Sequence, residues 1–508
     1  MTTSTGKSFL AIESVSLNSI SGVDSEDLPV IQALLKVWAD KYPHNLIRSQ
    51  YVDAHYRFKD FGISIPDRIK SNVDAMIGWP AKAVRSLADL SVFEGFSFGD
   101  GSDGHGVGDL CDDNALDAVI PEAISSAYTH SCAFLTVSAD EDDPSRMVII
   151  PRSADWSAAI WDRRHNRISS ALTITSDDEY GSITGFNVWL PDCLYTCVRN
   201  GSGWSAVKSQ SNFGRPTIVP LCYDAQLNRP FGRSRVSRPL MSLTDIGFRT
   251  IVRMEASAEF YAVPKLWFLG ASKDAFSKDT WSSLISAINS ISKDEDGDKP
   301  DLQQIQQASM QPHSDMLKTI ALMVSSETNI PVSDLGIITQ NPTSAEAMSV
   351  AERKLTREAD RQNIRFGRSV KDAVTMAVCL REGLQQVPDD LKAIRPIWSP
   401  TREISDAARA DAFSKIAGVS PEFAQSEVGW RYAGFDQKDI DSILSTVRRN
   451  QASSTLDKLL GAAHDDESGR ESTQPGAAPG GQTGAAGDAD AIPVSAGNES
   501  GVAARPAA

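Results

Sequence analysis

Arg233-Ser-Arg-Val-Ser-Arg-Pro-Leu-Met-Ser-Leu-Thr-Asp-Ile-Gly-Phe-Arg-Thr-Ile-Val-Arg-Met-Glu-Ala-Ser-Ala-Glu-Phe260 places Leu240, Leu243, Ile251, Met254 and Ala258 on one stripe at helical spacing. Gly247 fills the gap in the stripe and Ile246 keeps the region apolar. The pattern predicts an amphipathic helix, with Pro239 tolerated in its first turn and Pro264 ending it. Its other side mixes Arg249 and Arg253 with Glu255 and Glu259. A solvated face packed on a core is the ordinary reading of such a helix.

Downstream, Lys265–Leu269 reads as a strand, 278–291 as a short helix, Asp301–Ala308 as a second strand and Ser314–Thr328 as a helix. Pro331 and Pro342 then bound a polar loop in which Gly336 allows bending. After it, Thr343-Ser-Ala-Glu346 has capping-box spacing. From there Ala345, Met348, Ala351, Leu355, Ala359, Val370, Ala373, Val374, Ala377 and Leu380 keep a helical period, with Gly367 as its weak point. A continuous helix of that length would run about 55 Å, which suggests a strut. Two struts around a small insert make a stalk with a knob.

Three blocks in this region, Gly232-Arg-Ser-Arg235 leading into Met241-Ser-Leu-Thr-Asp245, Arg253-Met-Glu-Ala-Ser-Ala-Glu-Phe260 and Asn341-Pro-Thr-Ser-Ala-Glu-Ala347, resemble in order and spacing the portal proteins of tailed bacteriophages, in the branch found in actinobacterial phages. The resemblance continues through Asn45-Leu-Ile-Arg-Ser-Gln-Tyr51 and from Asn72 to Phe96, and covers most of the chain to about Asn450. It implies an α+β portal fold: an arm at 1–26, a wing of helices followed by strands at 27–232, a stem helix at 233–261, a clip at 262–312, a returning stem helix at 313–329, a channel loop at 330–342, a long helix at 343–383, a helical crown at 384–460 and a disordered tail at 461–508.

The implied function is a ring-forming, dodecameric channel at the capsid vertex for packaging and ejecting double-stranded DNA, present in the host cytoplasm during assembly and in the virion afterwards. Its implied partners are copies of itself, the DNA, the terminase large subunit, the major capsid or scaffold protein and a head-completion adaptor. Ser333, Asp334, Thr339, Gln340 and Asn341 would line the channel, and Lys278, Trp281, Ser282, Asp294 and Asp296 would dock the motor. Mostly uncharged polar groups suit sliding contact, because they can hydrogen-bond phosphate oxygens without displacing counterions at each step. Arg249, Arg253, Arg353, Arg357 and Arg361 would either face the lumen or pair with acids of neighbouring subunits.

The composition fits. At 508 residues the chain can hold more than one folded unit, and 41% hydrophobic residues allow a sizeable core. A net charge of -16 argues against tight nucleic-acid binding, which draws on Lys and Arg contacts to phosphate. Six scattered cysteines, with no signal peptide ahead of them, read as free thiols of a reducing compartment, and no run approaches the length of a membrane span.

Towards the amino terminus, Ile31, Leu34, Leu35, Val37 and Trp38, then Leu46, Tyr51 and Tyr56 beyond Pro43, suggest two helices. Ile69–Ile77 and Ala83–Leu90 suggest another pair, broken at Gly78-Trp-Pro80. Strand patterns follow at Phe134–Val137, Met147–Ile150, Ala171–Thr175, Gly185–Leu190 and Cys193–Val198. One helix, Asn114–Tyr128, interrupts them and is either continuous or restarted at Pro121. Beyond Pro388, Ser405–Ala417, Pro421–Arg431 and Gln437–Leu460 read as helices. Past Gly461 the Gly-, Ala-, Pro- and Ser-rich sequence has too little apolar surface to offset its ordering entropy, and deleting 462–508 should leave thermal stability nearly unchanged.

Chemical motifs are weak. Gly95-Phe-Ser-Phe-Gly99 has the form of a nucleophile elbow, so a serine hydrolase using Ser97 is the rival of a different class; but a flexible Asp/Gly-rich loop follows where a helix is required. Asp294-Glu-Asp-Gly-Asp298 lacks the glycine position and closing glutamate of a calcium loop. Cys193, Cys197, Cys222 and His165 could be drawn as a zinc set, but no second close pair completes it. No phosphate-binding loop of the Gly-x-x-x-x-Gly-Lys type and no His-Glu-x-x-His helix occurs. The expectation is therefore no catalysis, cofactor or metal. A monomeric helical adaptor or scaffold would share every local pattern.

Overall fold

The computed structural model describes residues 20–55, 76–98, 103–140, 142–201, 203–211, 213–261, 266–269, 301–304, 309–337, 345–402, 406–435, 439–440, 442–450 and 452–453. The chain divides into two compact units, Met1–Ile404 and Ser405–Ala508. The first runs α1 (Leu28–Val52), α2 (Trp79–Ala88), β1 (Phe93–Ser97), α3 (Val107–Asp113), α4 (Leu116–His130), β2 (Cys132–Ala139), β3 (Met147–Ser153), β4 (Ser157–Asp162), β5 (Arg167–Asp177), β6 (Ile183–Trp189), β7 (Cys193–Asn200), β8 (Gly203–Gln210), β9 (Ile218–Cys222), α5 (Arg238–Tyr261), β10 (Leu266–Leu269), β11 (Asp301–Gln304), α6 (Gln311–Thr328), α7 (Ala345–Glu382), α8 (Asp389–Ala393) and β12 (Arg395–Trp398).

β2 is buried along most of its length because it is the middle of a three-stranded antiparallel sheet, β3-β2-β9. The edge strands carry Pro151 and Pro220, which a central strand could not hold without losing ladder bonds. Ala133, Leu135 and Val137 face a core supplied by α4 and α7, including Ile120, Ile124, Phe366, Val370 and Val374. Cys132, Phe134 and Ile218 point the other way, onto Ala159, Ala171 and Trp189 of a five-stranded meander, β4-β5-β6-β7-β8. The far face of that meander, with Leu172, Phe186, Val188 and Tyr195, is covered by Ile31, Leu34 and Trp38 of α1. The body is thus helix, sheet, sheet, helix, and each fully buried Leu or Phe contributes about 1.5–3 kcal/mol by leaving water.

Several elements depart from the expected pattern. α1 is one helix with Pro43 inside it, not two. A mid-helix proline costs about 3 kcal/mol, but both halves are held. Trp38 Nε1 donates to Asp155 O at 2.8 Å, Asn45 Nδ2 to Ala154 O at 3.1 Å and Arg48 Nη1 to His130 O at 2.8 Å. α4 likewise runs unbroken through Pro121, with α3 as a separate helix ahead of it. Strands β4, β8, β9 and β12 carry no alternating apolar signal strong enough to be read: β8 buries only Trp204, and β9 and β12 each contain a proline.

The helix α7 is continuous, but its second half is no free strut. Residues 373–379 are buried on every side. Gly367 is the point at which β12 crosses it; a Cβ there would lie 2.6 Å from Pro396 Cγ and 3.1 Å from Trp398 Nε1. β12 pairs with β1, so 395–398, expected with the carboxy-terminal crown, belong to the first unit. The capping residues Thr343 and Ser344 and the stretches 56–75 and 271–300 lie outside the described residues.

The second unit contains α9 (Asp406–Val419), α10 (Pro421–Ala424) and α11 (Glu427–Ala433). The predicted helix 421–431 is two helices, because Ser426 restarts the chain as an N-cap, its hydroxyl accepting from Gly429 N at 3.1 Å. Phe413 packs near Phe423 and Trp430, and residues 442–450 are helical.

Candidate functional site

The stretch that decides the fold forms α5, and α6 returns beside it. Ser237, just before α5, donates to Glu327 at the end of α6 at 2.6 Å, while Ser257 near the end of α5 lies 3.5 Å from His313 at the start of α6. The two helices are therefore an antiparallel hairpin. At its far end β10 and β11 pair antiparallel, Leu266 opposite Gln304 and Leu269 opposite Asp301. Gly247 sits in the middle of α5 because α2 passes there: a Cβ would lie 2.5 Å from the Trp79 ring.

At the near end the hairpin is tied to the body through Gly232-Arg-Ser-Arg235. Gly232 has φ +73, and a Cβ on it would lie 1.9 Å from Tyr223 O, so only glycine lets the two backbone segments cross. Ser234 Oγ donates to Thr129 O at 2.5 Å. Arg235 is buried, with Nε donating to Ala83 O (2.6 Å), Nη1 to Glu358 Oε1 (2.7 Å) and Nη2 to Thr328 O (2.7 Å). Glu358 also accepts from Tyr223 OH at 2.5 Å and from Asn329 Nδ2 at 3.1 Å. One guanidinium and one carboxylate thus join α2, the entry to α5, the end of α6, α7 and the chain after β9. Burial, with the charge of Glu358 and against that of Arg235, pushes the Tyr223 hydroxyl well above its usual pKa, keeping it a neutral donor. Tyr223, Tyr128 and Phe366 stack edge to face behind it, with centroids 5.0 and 5.7 Å apart.

The loop expected to line a channel leaves this knot directly. Asn329 takes a left-handed conformation at φ 57 to end α6, and Ser325 Oγ donates to Ile330 O at 2.6 Å. Ile330 is buried with Ala83, Leu240 and Val324. Beyond it a 3-10 turn, Val332–Leu335, carries Ser333 and Asp334 in the open, and Gly336 at φ 82 closes the turn. The base of the loop is fixed and its described tip is exposed. Thr339, Gln340 and Asn341 lie outside the described residues, as do Lys278, Trp281, Ser282, Asp294 and Asp296 of the expected docking surface.

Sequence reading passed over Arg235 and Glu358. Nothing local in the sequence marks Arg235 as buried or Glu358 as its partner. Arg353, Arg357 and Arg361 stand one turn apart on α7 and are exposed, without a side-chain partner among the described residues. Arg249 Nε bonds Asp245 O within its own helix.

Among the described residues the serine-hydrolase and zinc constellations do not assemble. Ser97 ends β1 opposite Arg395, and its hydroxyl meets no histidine or carboxylate among the described residues; the next helix starts only at Val107. Cys193 and Cys197 are buried on one face of β7 against α1, whereas Cys222 ends β9 in the other sheet. Burial pushes the Cys197 thiol up to about 12. Among the described residues no three His, Cys, Asp or Glu could share a metal ion, and no helix is long and apolar enough to cross a membrane.

Known proteins are similar to this chain in sequence. The chain is 27% identical over 422 residues to the portal protein of Mycobacterium phage L5, covering 80% of this chain and 86% of that one. It is 26% identical over 416 residues to the portal protein of Mycobacterium phage D29, covering 79% and 85%. Among solved structures, the virion of a native gene transfer agent particle matches with a TM-score of 0.38 at 12% identity, over 67% of this chain and 86% of that one. The neck of an empty gene transfer agent particle matches at 0.39 and 12%, over 68% and 87%. Residues 25–446 match the family described as phage portal protein, SPP1 Gp6-like, and the chain belongs to it.

Proposed function

We propose that this portal protein is one subunit of a closed, dodecameric ring at the capsid vertex, through which double-stranded DNA enters during packaging and leaves on ejection, and that it catalyses nothing itself. In this reading the layers up to residue 232 are the wing, α5 and α6 the stem, 262–312 the clip that docks the terminase large subunit and later a head-completion adaptor, 330–342 the channel loop and 384–460 the crown. Capsid or scaffold protein would surround the ring, and the movement of DNA would draw its energy from the motor.

The observation that carries the proposal is the outer face of α6. Met316 and Met323, seven residues apart on one side of the helix, and Leu322, about 100° further round, are 39, 53 and 51% exposed, although α5 already packs along α6. A helix with apolar groups on both sides is built to be covered twice. A neighbouring copy is the cover that a closed symmetric ring supplies. The test is the mass of the native assembly together with end-on micrographs. A single ring-sized species is expected, and a stable 54.9 kDa particle overturns the reading in favour of a monomeric adaptor.

The channel loop has its own test. Replacing Gln340-Asn341 by Asp-Asp leaves the ring intact but lowers packaged DNA, because carboxylates repel the phosphate backbone where amides would bond it. Equal DNA yield would remove 330–342 from the channel.

A further inference from the structure

A cleft of about 540 Å³ opens between the second half of α1, the corner from α4 to β2 and the segment 229–238. Lys41, Arg48, Arg229 and Arg238 line it together with the imidazoles of His44 and His130, and no carboxylate is among its lining residues. In a chain with 66 Asp and Glu against 50 Lys and Arg, a wall of one sign is not what composition alone supplies. Lys41, Arg229 and Arg238 are exposed, and their side chains have no partner among the described residues.

Arg48 lies deeper. Its Nη1 donates to Asn45 Oδ1 at 3.2 Å and to His130 O at 2.8 Å, while Nε and Nη2 make no hydrogen bond among the described residues. Asp155, whose charge reaches Arg48, is held through Oδ2 by His130 Nε2 at 3.1 Å and by Ser49 Oγ at 3.2 Å. A half-buried guanidinium whose Nε and Nη2 meet no acceptor among the described residues can take an anion from outside.

Pro230 also lines a second cleft, of about 520 Å³, which continues the charge. It holds Arg167, Arg215, Arg365 and Arg368 against a single carboxylate, Asp372, which Arg215 grips through both nitrogens at 2.8 and 2.6 Å. Arg167 and Arg368 have no side-chain partner among the described residues.

The shape decides between anions. Spaces of this size admit one extended chain and not a double helix, and the floor of the first is apolar, with Phe134 and Phe231. Bare phosphates gain nothing from that floor, whereas an acidic peptide can lay apolar side chains on it between its carboxylates. We propose that the paired clefts receive an extended acidic segment of another protein, its carboxylates on Lys41, Arg48, Arg229 and Arg238 and its intervening apolar side chains on Phe134 and Phe231.

The experiment uses the full-length protein and a fluorescent synthetic peptide of about ten residues that alternates Asp or Glu with Leu or Phe, read by polarisation at about 0.15 M salt. Saturable binding is expected, weakened by about tenfold or more in Lys41→Glu/Arg229→Glu with melting temperature and assembly mass unchanged. If that double variant fails to fold, Arg238→Gln alone is expected to weaken binding by about threefold. Absence of binding, unchanged affinity in the folded variant, or a single-stranded oligonucleotide of equal charge binding as tightly as the peptide would each overturn the proposal. None of these outcomes bears on ring formation.

Discussion

α7 and α6 are both read from the same helical periodicity, yet they meet opposite fates. Residues 373–379 of α7 are enclosed by the sheet and by neighbouring helices of their own chain, while α6 leaves Met316, Leu322 and Met323 in solvent. The apolar stripe of one is satisfied within the subunit; that of the other is satisfied on one side only. Periodicity reports that a face will be buried, and it is silent about which molecule buries it.

The buried pair between Arg235 and Glu358 ties the two helices together, so its loss has the largest effect. Arg235→Ala leaves Glu358 buried without its cation and is expected to lower the stability of the first unit by about 3–5 kcal/mol, measured by chemical denaturation. A loss below about 1 kcal/mol would mean that the hairpin is anchored elsewhere. Next comes Gly247→Ala, which drives a methyl group into the Trp79 ring and should cost about 1–3 kcal/mol despite the better helix propensity of alanine. A gain in stability would show that α2 can withdraw from α5.

Leu322→Ser with Met323→Ser sharpens the contrast from the other side. Both positions are exposed in the single subunit, so stability there should change by less than about 0.5 kcal/mol, while native mass shifts towards smaller species. Unchanged assembly would return this face to the solvent.

The smallest effect lies at the end of α7, where His105 Nδ1 meets Glu382 at 3.0 Å and Nε2 meets Asp390 at 2.8 Å. With both nitrogens facing carboxylates, the hydrogen bond to Glu382 first, and the charges of Glu382 and Asp390 with it, raise the His105 pKa above its usual 6.5 against the opposing effect of burial. A raised pKa stabilises fully below about 6.5 and is lost as pH rises through the folded value. The difference in melting temperature between wild type and His105→Asn should therefore shrink as pH rises above about 6.5. A difference that does not change with pH would assign the contact to packing.

Much of the fold could be read in the chain. The stripe through α5, the returning α6 and the period of α7 are local, and so are the apolar runs of β2, β3, β5, β6 and β7. Pro43 misled because a proline penalty of about 3 kcal/mol is a local quantity, whereas the bonds from Trp38, Asn45 and Arg48 that outweigh it reach residues far along the chain. β8 escaped notice because an edge strand that buries one tryptophan has no alternation to detect. The anchoring of Ile330 and Asn329 at the end of α6 left no local sign in the sequence.

What the sequence determined by itself is most of the helices and strands, together with the family blocks, because propensity, period and capping act over a few residues. Only the tertiary structure decided that Gly232 is a crossing point, that Arg235 finds Glu358, and that Lys41, Arg48, Arg229 and Arg238 surround one cleft. Electrostatic and steric contacts depend on distance in space, and in the chain order those residues are strangers.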